Sequence, residues 1–317
     1  MSTLYFLVQQ TMYFMIPLLI VALGGMFSER SGVVNVALEG IMTFGAFCGI
    51  LFINLFQNAL SGQGLLILAI IVSALAGMLF SLAHAYASVN MKADQVISGT
   101  ALNMFAPAFA IFVARQIFGV QQIGFNNTFR IVKVPVLSKI PVIGPMFFQN
   151  TYITTYIGFA ILIISAIVLY KTRFGLRLRA CGEHPQAADS LGVNVYRIRY
   201  AGVLISGILG GIGGLVFIIP TSTNFNATVA GYGFLALAVL IFGQWNPVKI
   251  LYASLFFGFM KALAASYSGI AFLNDLSIPS NVYKMVPYIA TLIVLAFTSK
   301  KSQAPRAAGV PYDKGAR

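Results

Sequence analysis

Two ionisable side chains, Glu39 and Lys261, lie inside long apolar stretches of this sequence. Glu39 lies in "SERSGVVNVALEGIM", eight residues past Ser31, which is ~12 Å along a helix. Lys261 lies twelve residues past Lys249, or ~18 Å along a helix. If these stretches cross a membrane, such groups face a cavity or a partner. Glu39 could contact a transported solute, carry a proton or make a structural helix-to-helix hydrogen bond, and the two charges could pair.

Catalysis is not predicted by any motif in the chain. The two histidines, His84 and His184, lie in different segments, and so do the two cysteines, Cys48 and Cys181, so we expect neither a metal site nor a disulfide. A G-x-x-x-x-G-K-[ST] phosphate loop is absent, which argues against ATP hydrolysis by that route. The acid and the lysine in the apolar stretches are not the Ser–His, paired-Asp or metal sets of intramembrane proteases. We therefore expect a protein that is not an enzyme and needs no cofactor.

The composition indicates a membrane protein. Hydrophobic residues make up 59% of the 317 residues and charged residues only 9%, whereas a soluble domain carries roughly 25% charged residues. The apolar runs are continuous, unlike the short alternating segments of a β-barrel. The N-terminus lacks a basic region and a small-residue cleavage pattern, so we expect no signal peptide. The sequence predicts an all-α, polytopic transmembrane helical bundle.

About nine spans (eight to ten) are predicted, because each crossing needs about 20 mostly apolar residues. They lie at about 8–27, 34–54, 65–87, 96–118, 150–170, 200–219, 231–245, 250–267 and 283–298. Residues 1–299 form the predicted transmembrane domain. Residues 300–317 are polar and small, and we expect a disordered tail there.

The basic residues indicate the orientation. They cluster in the loop at 171–199 and in the tail at 300–317, and both clusters are therefore expected to be cytoplasmic. This predicts an N-terminus outside, although the loop at 119–149, also outside, carries Arg130, Lys133 and Lys139. The net charge of +13 is explained by basic residues in loops that flank the spans, and we do not expect nucleic-acid binding.

Two segments resemble each other. "LEGIMTFGAFCGILF" from Leu38 and "AGYGFLALAVLIFGQW" from Ala230 each open with a glycine-containing polar step and then run apolar. The first starts inside and the second outside, as in the inverted repeats of transporters, whose substrate lies near the midplane. The alternative is that glycine-rich apolar helices simply look alike.

A short helix is predicted within the loop segment "LRACGEHPQAADSLGVNVYRIRY". Pro185 suits the first turn of a helix, and Gly192 and Asn194 suit its end. A helix of about two turns is not stable alone in water and needs a partner surface. The segment lacks the aromatic anchors of interfacial helices, which favours a protein groove over the lipid interface.

Two long stretches resemble membrane subunits of bacterial ABC importers in the branched-chain amino acid, simple sugar and nucleoside permease superfamily. They are "GGMFSERSGVVNVALEGIMTFGAF" and "GLRLRACGEHPQAADSLGVNVYRIRYAGVLISGILGGIGG". The resemblance covers about residues 18–298, and "ERSGVVNVALEG" looks most like the nucleoside-import subgroup. It implies cytoplasmic ATP-binding subunits, a second permease that is a distinct paralogue, and an extracellular substrate-binding lipoprotein, all acting at the bacterial cytoplasmic membrane.

The resemblance also implies roles for particular residues. The loop helix corresponds to the coupling helix that fits the ATPase groove, which assigns ATPase coupling to Glu183, His184, Pro185, Ala188, Asp189 and Gly192. Asn35, Glu39, Asn103 and Lys261 are predicted to line the passage, since carboxylates and amides suit the hydroxyls and ring nitrogens of a nucleoside. The alternatives are a simple-sugar or branched-chain amino acid permease, or a stand-alone carrier that is coupled to protons through Glu39.

Overall fold

The computed structural model of the protein describes residues 2–135, 137–141, 143–266 and 303–315, together with the single positions Val282, Met285, Ile289 and Leu292. The helices in this part of the chain are α1 (Ser2–Arg30), α2 (Leu38–Phe56), α3 (Gly62–Val89), α4 (Gln95–Phe118), α5 (Ile143–Phe147), α6 (Ile153–Lys171), α7 (Arg173–Glu183), α8 (Pro185–Ser190), α9 (Val195–Thr221), α10 (Tyr232–Phe242) and α11 (Pro247–Ser266). Seven of them, α1, α2, α3, α4, α6, α9 and α11, are long and apolar enough to cross a bilayer. The predicted all-α polytopic fold is confirmed.

The segment predicted as a span at 231–245 is instead the short helix α10. Its 11 residues extend only ~16 Å, about half of the ~30 Å hydrocarbon core. Gln244 and Trp245 follow it with φ of +48° and +53°, so the chain turns there rather than continuing as helix. The last predicted span, 283–298, lies outside the described residues apart from three of the single positions.

Small antiparallel ribbons close one end of the bundle. Strand β1 (Ile123–Gly124) pairs with β4 (Asn224–Phe225), and β2 (Ile131–Lys133) pairs with β3 (Gln149–Thr151). The first ribbon joins the end of α4 to the end of α9. The end that carries these ribbons is called the ribbon end below, and the opposite end, with Arg30, α7 and α8, the basic end.

Helix α9 is the centre of the bundle and packs against α1, α2 and α3. Its glycines permit this close packing. A Cβ on Gly211 would lie 2.1 Å from the carbonyl oxygen of Ser73 in α3. Small residues let helix backbones approach closely in membranes, where dispersion contacts stabilise the pair. The Ser73 hydroxyl also donates to the Gly45 carbonyl of α2 over 2.9 Å, which joins three helices at one level.

Helices α2 and α10 run in opposite directions from a common point inside the bundle. Near the end of α2, Asn54 Nδ2 donates to the Gly124 carbonyl at the ribbon end (2.7 Å). Just past the end of α10, Trp245 Nε1 donates to Glu29 Oε2 at the basic end (2.6 Å). These are the two segments that the sequence analysis paired, and their opposed directions agree with an inverted repeat.

The tail differs from the expectation of disorder. Residues 303–315 return to the basic end, where the Ala307 N–H donates to the Gly182 carbonyl (2.8 Å) and Tyr312 is only 4% exposed. The tail is ordered because its few apolar side chains pack onto the surface formed by α7 and α9, which the sequence does not reveal.

Candidate functional site

The chain breaks between α1 and α2 and turns back into the bundle before α2 begins at Leu38. Gly32 has φ of +97°, and a Cβ there would lie 2.8 Å from the guanidinium of Arg199. Both the conformation and the space therefore require glycine. Because of this break, Glu39 reaches the interior through non-helical chain rather than along a continuous helix from Ser31.

Two asparagines hold the peptide groups of this break. Asn35 is fully buried; its Nδ2 donates to Ser206 Oγ (2.8 Å), and its Oδ1 accepts an N–H two residues further along (3.1 Å). Asn103 of α4 accepts from the Gly40 N–H (2.7 Å) and donates to the Val36 carbonyl (2.9 Å). Both predicted pathway residues thus satisfy backbone groups at the start of α2.

Glu39 lies in the first turn of α2, and its carboxylate binds the start of α10. Oε1 accepts from the Gly231 N–H (2.9 Å), and Oε2 accepts from the Gly233 N–H (2.6 Å). Helix N-termini carry unpaired N–H groups and the positive end of the helix dipole, so a carboxylate between two of them is stabilised. This geometry corresponds to the structural helix-to-helix hydrogen bond, one of the roles that the sequence left open for Glu39.

Lys261 of α11 lies beside the same locus. Its Nζ is 5.4 Å from the centroid of the Tyr232 ring, at the start of α10. Among the residues that the structure describes, no ion pair joins Lys261 to Glu39, so the suggested pair is not formed. The four predicted pathway residues all meet at the starts of α2 and α10, and their contact with a solute stays a prediction.

A polar network at the basic end was missed by the sequence analysis. Arg30 Nε and Nη2 donate to the Trp245 carbonyl (3.3 and 3.2 Å), and Arg30 Nη1 lies 3.7 Å from Glu183 Oε1. The neighbouring Glu29 accepts from the Trp245 indole. The sequence analysis assigned no role to Glu29 or Arg30. The sequence feature that could have indicated this network is Trp245, the single tryptophan in the chain.

The predicted loop helix is confirmed as α8. His184 precedes it, Pro185 is its first residue, and Gly192 follows with φ of +82°. Asn194 does not end α8; its side chain caps α9 by accepting from the Arg197 N–H (3.0 Å).

The predicted coupling residues divide between two faces of α8. Pro185 and Ala188 are buried within the chain, and Ala188, at 3% exposure, packs with Cys181, Val195 and Tyr312. Ala188, which the sequence analysis assigned to ATPase coupling, therefore faces the chain's own interior and holds the helix in place. Glu183 and Asp189 are half-buried. The outer face consists of His184, Gln186, Ala187, Ser190, Leu191 and Gly192.

Leu191 is the most exposed large apolar residue of the described chain, at 85%. It directly follows α8 at the basic end, among polar and small residues. Cys181, beneath the helix, is fully buried. This burial raises the pKa of its thiol to about 11, against the opposing effect of Arg199.

Comparison with known proteins gives the family of the chain. Residues 7–295 match the family model described as "Branched-chain amino acid transport system / permease component". The chain is 46% identical over 314 residues to the nucleoside ABC transporter permease protein NupC of Lactococcus lactis, covering 99% of this chain and 98% of that one. It is 45% identical to the guanosine ABC transporter permease protein NupQ of Bacillus subtilis (98% and 97% covered). It is also 24% identical to a second Lactococcus lactis nucleoside permease protein, NupB (96% and 85% covered).

These matches span nearly the whole chain, including the break between α1 and α2 and the segment of α7 and α8. The protein is a multi-pass membrane transport component rather than an enzyme, and it belongs to the family of branched-chain amino acid transport system permease components.

Proposed function

We propose that this protein is the membrane-spanning permease subunit of an ATP-driven importer that carries nucleosides across the bacterial cytoplasmic membrane. The observation that carries the proposal is the identity of 46% and 45%, over almost the full length, to two relatives named for nucleosides and for guanosine. A simple-sugar or branched-chain amino acid substrate is the alternative within the family.

The outer face of α8 is the proposed docking surface for an ATP-binding subunit. Its anchor is Leu191, whose side chain is 85% exposed in the described part of the chain. Burying a leucine in a partner's pocket contributes about 1.5–3 kcal/mol. His184, Ala187 and Ser190 lie on the same outer face, where small and polar groups permit close approach of a partner surface.

The remaining partners follow from the same relationship. A second permease, distinct from this one, is favoured because Lactococcus lactis has two proteins named as nucleoside permeases, NupC and NupB, which match this chain at 46% and 24%. An extracellular substrate-binding lipoprotein would deliver the nucleoside to the ribbon end. The basic end would face the cytoplasm, with the tail, since α7 carries Arg173, Arg177 and Arg179 there.

A stand-alone proton-coupled carrier is disfavoured by the surroundings of Glu39. Both carboxylate oxygens accept backbone N–H groups. Protonation would turn one acceptor into a donor that faces another donor, so a proton cycling on this group would break the contact between α2 and α10 in every turnover.

The experiment is uptake by cells that lack their own nucleoside importers and express this permease with the neighbouring ATPase, permease and lipoprotein genes. Labelled nucleosides should accumulate, and unlabelled nucleosides should compete where sugars and branched-chain amino acids do not. Leu191→Asp should abolish uptake and co-purification of the ATPase. Val120→Asp is the matched control for ATPase co-purification, because Val120 is 55% exposed at the opposite, ribbon end.

If unlabelled sugars competed and unlabelled nucleosides did not, sugars would replace nucleosides as the proposed substrate. Full uptake by Leu191→Asp, with wild-type recovery of the ATPase, would overturn the docking surface.

A further inference from the structure

The C-terminal tail, residues 303–315, connects three separate elements at the basic end. The Ala307 N–H donates to the Gly182 carbonyl near the end of α7 (2.8 Å). Arg199 Nη1 of α9 donates to the Val310 carbonyl (3.0 Å). Asp313 pairs with Lys92, after α3, over 2.8 Å. A short segment of chain thus bridges α7, α9 and the loop between α3 and α4.

Tyr312 fills the space directly beneath α8. Its ring meets the ring of Tyr196 edge to face, with centroids 5.5 Å apart, and belongs to one buried cluster with Cys181, Ala188 and Val195. Because α8 has only six residues, its own hydrogen bonds cannot hold it in place. The buried cluster that Ala188 shares with Tyr312 supplies part of what holds it.

Arg199 makes the position of the tail specific. The residue is 1% exposed, and its guanidinium carbon lies 5.9 Å from the centroid of the Tyr312 ring. Within the described residues, the guanidinium donates to the Val310 carbonyl, and its Nε and Nη2 have no hydrogen-bond acceptor. A buried cation without acceptors is unfavourable, so departure of the tail would leave Arg199 poorly compensated, and the docked position is favoured.

The tail also reaches the outer surface of the coupling region. Lys314 lines a polar groove of about 380 Å³ together with Asp189, Ser190 and Gly192 at the end of α8. An ATPase that is seated on α8 would meet the tail at this groove, since both form one continuous surface.

We propose that the tail is a strap that holds α8 in its docking orientation, and that Tyr312 is a positioning residue for coupling between the ATPase and the permease. This inference rests on the proposed function. Deletion of the strap should loosen α8 on the permease and partly separate ATP hydrolysis from transport, without removing any group from the membrane-spanning helices.

The test compares Tyr312→Ala with the conservative Tyr312→Phe in a Cys48→Ala background, where Cys181 is the remaining cysteine. In the purified permease alone, Tyr312→Ala should raise the maleimide labelling rate of Cys181 by roughly tenfold or more, because thiol reactivity follows access and thiolate content. Amide exchange across residues 185–193 should also accelerate. Tyr312→Phe keeps the ring but loses the hydroxyl that hydrogen-bonds with Asp189 of α8, so it should change both measurements much less than Tyr312→Ala.

In the full complex, Tyr312→Ala should lower ATPase co-purification and the amount of nucleoside carried per ATP hydrolysed, and Tyr312→Phe should lower both much less. Truncation before Gln303 should match Tyr312→Ala, and a peptide of residues 303–317 should restore protection of Cys181 in the truncated permease. This rescue shows that the variant is folded.

Unchanged labelling of Cys181 in Tyr312→Ala would overturn the strap itself. Fast labelling with wild-type coupling would overturn its role in positioning α8. Failure of the proposed function is distinguishable, because the wild-type permease would then also fail to bind the ATPase, whereas the labelling and exchange results would stand.

Discussion

Glu39→Gln tests whether the carboxylate clamps two helices or contacts substrate. Gln retains one acceptor oxygen, and its NH₂ group replaces the other, so one of the N–H groups of Gly231 and Gly233 would face a donor. The lost hydrogen bond to a charged group costs about 1.5–3 kcal/mol. The lost interaction of the charge with two helix N-termini adds about 0.3–2 kcal/mol.

The sum is therefore roughly 2–5 kcal/mol of unfolding free energy. At about 2 °C per kcal/mol for a chain of this size, the unfolding temperature should fall by roughly 4–10 °C. The assay is thermal unfolding of the purified permease in detergent without substrate. Glu183→Gln is the matched control; its carboxylate is 41% exposed and lies 3.7 Å from Arg30, and such a pair contributes only about 0–1 kcal/mol.

The clamp also predicts that added nucleoside stabilises Glu39→Gln as much as the wild type, since the substrate is not bound by this carboxylate. Wild-type unfolding temperature together with complete loss of nucleoside binding would refute the clamp and return Glu39 to the passage.

Two further results are expected. In a double-mutant cycle, the losses in unfolding free energy caused by Glu39→Gln and Lys261→Met should add within about 0.5 kcal/mol, because Glu39 uses backbone N–H groups as partners; a larger coupling would indicate an ion pair. For Cys181 in the Cys48→Ala background, the pKa of about 11 means that the native state keeps its proton above the ordinary thiol value of about 8.5. Its contribution to stability should therefore fall between these two pH values, and alkylation should still accelerate up to about pH 11; a plateau near pH 9 would contradict the burial.

The sequence was sufficient for the helical bundle and for α8, because both depend on local signals. Apolar length determines which segments can span a bilayer, and Pro185 and Gly192 mark the two ends of α8. The face of α8 could not be predicted, since a six-residue helix has too few apolar positions to show a periodicity. Ala188 was therefore assigned to the outer surface, although it packs against Tyr312.

Contacts between distant segments could not be predicted either, because no local signal in the sequence indicates them. Glu39 stood out as an acid in an apolar stretch, but its partners Gly231 and Gly233 lie more than 190 residues away and contribute only backbone groups. The tail looked disordered because the buried Arg199 and the surface beside α7, which give it order, lie in another part of the sequence.

Helix α10 has a charged residue at each end, and each charge has the sign that its dipole favours. At the start, the carboxylate of Glu39 accepts N–H groups; just beyond the end, the guanidinium of Arg30 donates to the Trp245 carbonyl. Arg30 also lies beside Glu183, the last residue of α7, and Glu39 belongs to α2. Helix α10, of only 11 residues, is therefore held at both ends by residues of other elements. The carboxylate shared with α2 fixes its start beside the helix break in the middle of the bundle, where the predicted pathway residues lie.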